Sequence, residues 1–138
     1  MIYRSSRIVT GTPDAALRVL QDARLLDAWN PALGPLEPAD HVATVGRPYA
    51  TLIRGLVRAT VVYEEVSIDR MTYRLTAPGA SESGTWDISR LSEDEIRVTH
   101  TFEHHGVLLA LMRQAFASVA AWRLDRFEQE LAAPHLTP

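Results

Sequence analysis

The sequence predicts an α+β fold: a curved antiparallel sheet wraps around a long C-terminal helix and leaves a ligand cavity between them. Three observations lead there. Leu109, Met112, Phe116, Ala120, Leu124, Phe127 and Leu131 recur at three- and four-residue steps, the period of one helical face. Upstream of them, most of the chain from Tyr49 to His104 alternates between apolar and polar residues, as half-buried strands do. The connections between those segments are short, so they form an antiparallel meander; parallel pairs would need crossovers of about a dozen residues. A helix over Gly106–Leu131 would reach about 38 Å at 1.5 Å per residue, enough to lie along a whole sheet.

Each element has a local cause. Ile2 to Thr10 reads as a first strand, with Ile2, Arg4, Ser6, Ile8 and Thr10 on one side. Thr12-Pro13-Asp14 opens a helix: a capping hydroxyl, a proline suited to the first helical position, and an acid at the positive end of the dipole. A second helical turn spans Arg24 to Trp29 and stops at Asn30-Pro31. Gly34-Pro35 and Glu37-Pro38 keep the next stretch irregular, and a short strand is expected near Asp40–Val45. Strands follow over Tyr49–Arg54, Val57–Ile68, Met71–Thr76, Ser83–Arg90 and Glu95–His104. Gly55, Asp69-Arg70, Pro78-Gly79 and Ser92-Glu93-Asp94 separate them.

The composition bounds what the protein does. At 138 residues with 46% hydrophobic and 22% charged residues, the chain suits one soluble domain over residues 1–138. A net charge of −3 offers no electrostatic footprint for nucleic acid. No apolar run approaches the roughly 18 residues of a membrane span, and the N-terminus lacks a signal-peptide core, so a cytoplasmic location is expected. Cysteine is absent, which removes disulfides and thiolate chemistry. All 14 basic residues are arginine, which removes lysine Schiff-base catalysis. No phosphate loop or cofactor motif stands out, so no cofactor is expected. His104-His105 beside Glu103 suggests a metal, but adjacent strand residues point to opposite faces, so none is expected there. A homodimer stays open.

Candidate site residues follow from strand parity. Ile96, Val98, His100, Phe102 and His104 share the more apolar side of the last strand, which places His100 in the cavity wall. An imidazole there can serve as general acid or base; a hydrogen-bonded core histidine is the alternative. On the long strand, Tyr63 and Glu65 share a side, but both sides mix apolar and charged residues, so its orientation stays open. Facing inward, they would supply a donor and a carboxylate whose pKa rises on burial; facing outward, Glu65 ends the strand in solvent. Trp29, Tyr49, Tyr73, Trp86, Phe102, Met112 and Phe116 are candidates to line the cavity. Arg123, seven positions from Phe116 and four from Phe127, either enters it to pair an acid or stays at a solvated rim.

The opening strand followed by TPDAALRVLQDARLLDAWNP, the SGTWDISRLSEDEIRVTHTFE stretch and the closing helix together resemble the START-like (SRPBCC) superfamily. That group includes bacterial polyketide cyclases/dehydrases and lipid-transfer domains. The resemblance covers nearly the whole chain and rests on order and texture. It implies a helix-grip fold with a cavity for a small hydrophobic molecule, a polyketide intermediate or a lipid-like ligand. Catalysis there would be cyclisation or dehydration, by substrate positioning with acid/base help from His100, Tyr63 or Glu65. The alternative is a non-catalytic lipid, quinone or isoprenoid carrier. Aromatic polyketide cyclases of the family are described as using a Trp, a Tyr and an Arg. Trp29 matches the first, Pro31 to Pro38 contains no Tyr, and the Arg position falls near Glu64 or Glu65.

Overall fold

The computed structural model describes residues 2–106, 109 and 116–133. One six-stranded antiparallel sheet runs in the order β1-β6-β5-β4-β3-β2. Its strands are β1 (Ile2–Thr10), β2 (Pro48–Ile53), β3 (Val57–Val66), β4 (Arg70–Ala77), β5 (Ala80–Arg90) and β6 (Glu95–His105). The last five form the expected meander, and β1 joins by pairing with β6, Tyr3 opposite Phe102 and Val9 opposite Ile96. Helices α1 (Pro13–Leu20) and α2 (Leu26–Trp29), bridged by a 3₁₀ turn at Ala23–Leu25, intervene between β1 and β2. Helix α3 (Val119–Ala132) follows the sheet and packs on β1, β6 and both earlier helices.

The start of α1 is built as its residues demand. Thr12 Oγ1 accepts from Ala15 N at 3.2 Å, and Pro13 occupies the first helical turn, where its missing N–H costs nothing. Asp22 caps the 3₁₀ turn through Arg24 N and also pairs with the Arg24 side chain. Between β4 and β5 the two-residue loop Pro78-Gly79 places Gly79 at φ 74°, in the left-handed region open to glycine.

The helical C-terminus differs from expectation. Phe116-Ala117-Ser118 forms a turn, closed by Val119 N to Phe116 O, so α3 is 14 residues long rather than one continuous rod from Gly106. Nothing at 116–118 is a proline or glycine, so periodicity alone ran through the break. Met112 lies outside the described residues. The strand expected near Asp40–Val45 does not form. That segment is held by Ala23 N to Asp40 O and Ala43 N to Gln21 O, which tie it to the helices instead of the sheet. Tyr49 reinforces the tie: its hydroxyl donates to Asp40 Oδ2 at 2.6 Å and accepts from Thr44 N.

Strand β3 carries the decisive irregularity. Tyr63 pairs with Tyr73, but the next paired residue is Glu65, opposite Thr72, so Glu64 is a bulge. One extra residue reverses the alternation beyond it. Tyr63 is therefore buried in the core, whereas Glu65 is exposed and shares neither its face nor its environment.

The core fills the concave side of the sheet. Trp29, Trp86, Tyr49, Tyr63, Tyr73, Phe127, Leu26 and Met71 are all fully buried and belong to one cluster. Trp29 meets Trp86 edge-on with centroids 5.1 Å apart, and Tyr49 meets Tyr63 edge-on at 5.7 Å. These are the favoured geometries for aromatic pairs. The aromatic residues expected to line an open pocket are instead packed against one another.

Candidate functional site: a buried polar cluster beside a small cavity

Inside this apolar interior sits a connected set of polar side chains from four elements. Their origin is parity. On β5, Glu82, Gly84, Trp86 and Ile88 point inward; on β6, Val98, His100, Phe102 and His104 do the same. Tyr73 of β4 lies directly opposite Gly84, and a Cβ built on Gly84 would sit 2.2 Å from the Tyr73 ring. Only glycine lets that ring lie across the neighbouring strand and deliver its hydroxyl to Glu82. From the other side, α3 lowers Arg123 onto the sheet, its guanidinium 4.4 Å from the centre of the Phe102 ring.

Glu82 is the hub. Its Oε2 accepts from Arg123 Nη1 at 2.8 Å and from the Tyr73 hydroxyl at 2.5 Å. Its Oε1 accepts from Arg123 Nη2 at 3.1 Å and from His104 Nε2 at 2.7 Å. Burial alone would raise this carboxyl, but the Arg123 charge and the hydrogen bonds from His104, Arg123 and Tyr73 hold it well below the ordinary carboxylate range. Burial likewise acts to lower Arg123, but the Glu82 charge overrides it, and the guanidinium remains protonated. Tyr73 is pushed well above its ordinary value by burial and by the adjacent Glu82, so it serves as a neutral donor.

His100 is fully buried and stacks on Trp86, with centroids 4.1 Å apart and planes 18° from parallel. Its Nδ1 lies 3.1 Å from the Thr85 carbonyl oxygen, which only accepts, so Nδ1 carries the hydrogen. Its Nε2 then accepts from Arg123 Nη1 at 3.2 Å. Burial first, and the Arg123 charge second, lower its pKa to about 3. A neutral ring with both nitrogens engaged has no lone pair left for a substrate. The imidazole expected in the cavity wall is therefore held between the Thr85 carbonyl and Arg123, and is not among the residues that border the cavity.

His104, two residues further along the same face, differs. With its Nε2–H donated to Glu82, its Nδ1 is buried without a hydrogen-bond partner among the described residues. Arg123 Nε and Asn30 Oδ1 are orphaned in the same way. His104, Arg123 and Asn30 all line one partly open cavity of about 120 Å³, whose other walls include Leu33, Ile53, Leu75 and Phe116. Glu82 and Ser81 border the same cavity, and the three unpartnered atoms themselves are closed off from it; Trp29 Nε1, Trp86 Nε1 and the Tyr63 hydroxyl are also unpartnered, in the packed core. Of the other residues expected at the cavity, Phe116 and Arg123 are on its wall, whereas Trp29, Tyr49, Tyr73, Trp86 and Phe102 stand in the packing behind it. A larger open depression of about 860 Å³ borders Pro35, Glu37, Leu52 and Arg58, away from the titratable cluster.

Sequence reasoning missed Glu82 because the strand was started at Ser83. Extending β5 two residues puts Glu82 in phase with Trp86 and Ile88. A carboxylate on a core face demands a buried cation, and Arg123 was the candidate on the helical stripe. His104 shared its parity with His100 but was weighed only as a metal ligand. Among the described residues, no group of three or more His, Cys, Asp or Glu could hold a metal ion, and no helix is long and apolar enough to cross a membrane.

Comparison with known proteins agrees with this architecture. The structure superposes on hypothetical protein jhp0584 from Helicobacter pylori with a TM-score of 0.74 at 16% identity, covering 94% of this chain and 86% of that one. It matches a START superfamily protein from Mycobacterium smegmatis with a TM-score of 0.74 at 8% identity, covering 94% and 96%. Truncated norcoclaurine synthase from Thalictrum flavum gives a TM-score of 0.72 at 14% identity, covering 98% and 95%. At these identities the likeness is one of fold, the helix-grip arrangement of a curved sheet and a C-terminal helix. A search of curated proteins gives no match. The family model described as polyketide cyclase/dehydrase and lipid transport matches residues 2–132, and the chain belongs to that family.

Proposed function

We propose that the protein takes a small, mainly hydrophobic molecule into the 120 Å³ cavity with its polar end against Arg123 and His104, and promotes cyclisation or dehydration of a polyketide-type intermediate. The observation that carries the reading is that the Glu82, His104 and Arg123 side chains of the buried polar cluster, with Asn30, all border one small cavity whose other walls are mostly apolar. The Glu82–His104 pair has the form of an oriented acid/base dyad: the carboxylate fixes the tautomer and stabilises the ring when it takes a proton. His104 then removes a proton from the carbon beside a carbonyl, and the developing enolate oxygen accepts from Arg123. Returning that proton to a leaving hydroxyl completes a dehydration; adding the enolate carbon to a second carbonyl, whose oxygen takes the proton, completes an aldol closure. Tyr63 and His100 have no part in these steps, and Glu65 is too exposed to join them.

One observation favours a second reading, a carrier without turnover. A volume of 120 Å³ is well below the roughly 300–1,000 Å³ of ordinary ligand pockets and leaves little room for a long poly-carbonyl chain to curl. A lipid, quinone or isoprenoid inserted by one end would suit it.

Native mass spectrometry of protein purified from cells, followed by incubation, tests both. Our reading expects a co-purified hydrophobic molecule that is converted on incubation with wild type and retained unchanged by His104→Gln. Recovery of the molecule unchanged from wild type favours the carrier. Protein that never carries or takes up such a molecule would remove both.

A further inference from the structure

The turn between β2 and β3 carries Leu56, the most exposed large hydrophobic side chain among the described residues, at 85%. Leu56 N donates to Ile53 O at 3.0 Å, and Arg54 and Gly55 both take left-handed backbone, at φ 50° and 72°. The base of the hairpin is tied down: Arg54 N donates to Ala32 O and Gly34 N to Leu52 O. Residues 54–58 are all exposed, and Leu52 is exposed as well. Leu52 lies directly opposite Arg58, and Ile53 opposite Val57, so Leu52 and Arg58 are neighbours on the convex face. Arg7, Arg24, Arg47, Arg70 and Arg123 each pair with a carboxylate, but among the described residues Arg54 and Arg58 do not. Glu37 borders the same depression as Leu52 and Arg58, but it bridges to Ala50, two residues further from the tip. Ile53, at the hairpin's base, is also a wall of the 120 Å³ cavity.

We infer that the β2–β3 hairpin docks the protein on an anionic phospholipid bilayer, with Leu52, Leu56 and Val57 entering the interface and Arg54 and Arg58 meeting lipid phosphates. Exposed aliphatic side chains grouped with unpaired cations are the combination that a charged bilayer rewards, through apolar burial and attraction to anionic lipid. Guanidinium groups also match phosphate geometry. The whole chain carries a net charge of −3, which opposes adsorption in random orientations. Screening over about 8 Å at physiological salt leaves only the charges nearest the surface to act, and at this tip those are the two arginines. Three aliphatic side chains around a turn are too few to bury the roughly 800 Å² per partner of a stable protein interface, whereas a bilayer requires no matching shape. Docking this way brings the cavity rim at Ile53 to the lipid, so that a hydrophobic guest passes between them without crossing bulk water. Docking rests on the hairpin alone; guest exchange rests on the reading that the cavity is the binding site.

The test is co-sedimentation of the full chain with vesicles of phosphatidylcholine, alone or mixed equally with phosphatidylglycerol, at low and at high salt. Wild type is expected to bind the mixed vesicles about thirtyfold more tightly than the neutral ones, about fivefold for each arginine, and to lose most of that preference at high salt. Leu56→Asp, at an exposed turn position, should weaken binding to the mixed vesicles by at least about tenfold. Arg54→Gln/Arg58→Gln should reduce it to the level of neutral vesicles. Leu56→Trp should emit at shorter wavelength on the mixed vesicles and be quenched by brominated lipid more than wild type is. No sedimentation with either vesicle overturns the inference. So does equal binding to both, or binding that Leu56→Asp and the double arginine variant leave unchanged. Protein that carries a co-purified guest yet ignores vesicles overturns the inference and leaves the cavity reading standing. Vesicle binding as expected by protein that never takes up a guest upholds docking and removes that reading.

Discussion

Replacing Glu82 with glutamine removes one charge and almost no volume, so it isolates the electrostatic role of the cluster. The carboxylate receives four hydrogen bonds, two from Arg123 and one each from Tyr73 and His104. An amide has one oxygen and one NH₂, and the NH₂ must face donors whichever way it is turned. Arg123, at 4% exposure, would be left as a buried cation without its counter-charge. Breaking a buried pair from one side costs about 3–5 kcal/mol, against a total of about 5–15 kcal/mol for a domain. Equilibrium urea unfolding followed by circular dichroism should therefore show Glu82→Gln less stable by that amount, a melting point lower by roughly 10–20 °C. The double variant Glu82→Leu/Arg123→Leu removes both charges and should regain about 1–3 kcal/mol over the single one, held back by the Tyr73 and His104 donors it strands. A loss below about 1 kcal/mol in Glu82→Gln would refute the argument, because it would mean that Arg123 finds solvent or another anion.

Two further outcomes follow from the same geometry. His100 is held neutral with a pKa near 3 in the folded chain, against about 6.5 unfolded. The unfolded state therefore binds the extra proton between those values, and stability should fall as pH drops from about 6.5 toward 3. His100→Phe should be less stable at pH 7 and should lose stability less steeply over that window in urea titrations; equal slopes for the two proteins would contradict the assignment. Gly84→Ala puts a methyl 2.2 Å from the Tyr73 ring, so the ring must swing off Glu82. The expected cost is about 2–3 kcal/mol by thermal unfolding, in the range of overpacking, and Tyr73→Phe/Gly84→Ala should cost less than the sum of the two single changes because both lose the same hydrogen bond.

The parts of this molecule that were legible in its sequence are those governed by period. Val98, His100, Phe102 and His104 face the interior because strand side chains alternate. Ala120, Leu124 and Phe127 do so because helical ones recur every three to four residues. Arg123 could be placed near the stripe by the same rule. What escaped is what interrupts a period. Glu64, a bulge, sends Tyr63 inward and Glu65 outward, and nothing in the string VVYEEV marks which glutamate is the extra one. The turn at Phe116–Ser118 is built from residues that helices tolerate. The difference between the two inward-facing histidines escaped for another reason. His100 and His104 are equivalent by pattern and are separated only by their partners, a carbonyl and a guanidinium for one, a carboxylate and a buried nitrogen without a partner for the other.

The aromatic stack on the sheet has a consequence for how capacity is set in this architecture. Backbone outline is shared with proteins of very different sequence, yet here Trp29, Trp86 and Tyr73 occupy the volume beneath the helices themselves. The chain supplies most of its own filling, and the room left over is a matter of side-chain girth at a few addresses. Trimming one indole would enlarge the chamber without moving a strand, which makes interior volume a trait that single substitutions can tune.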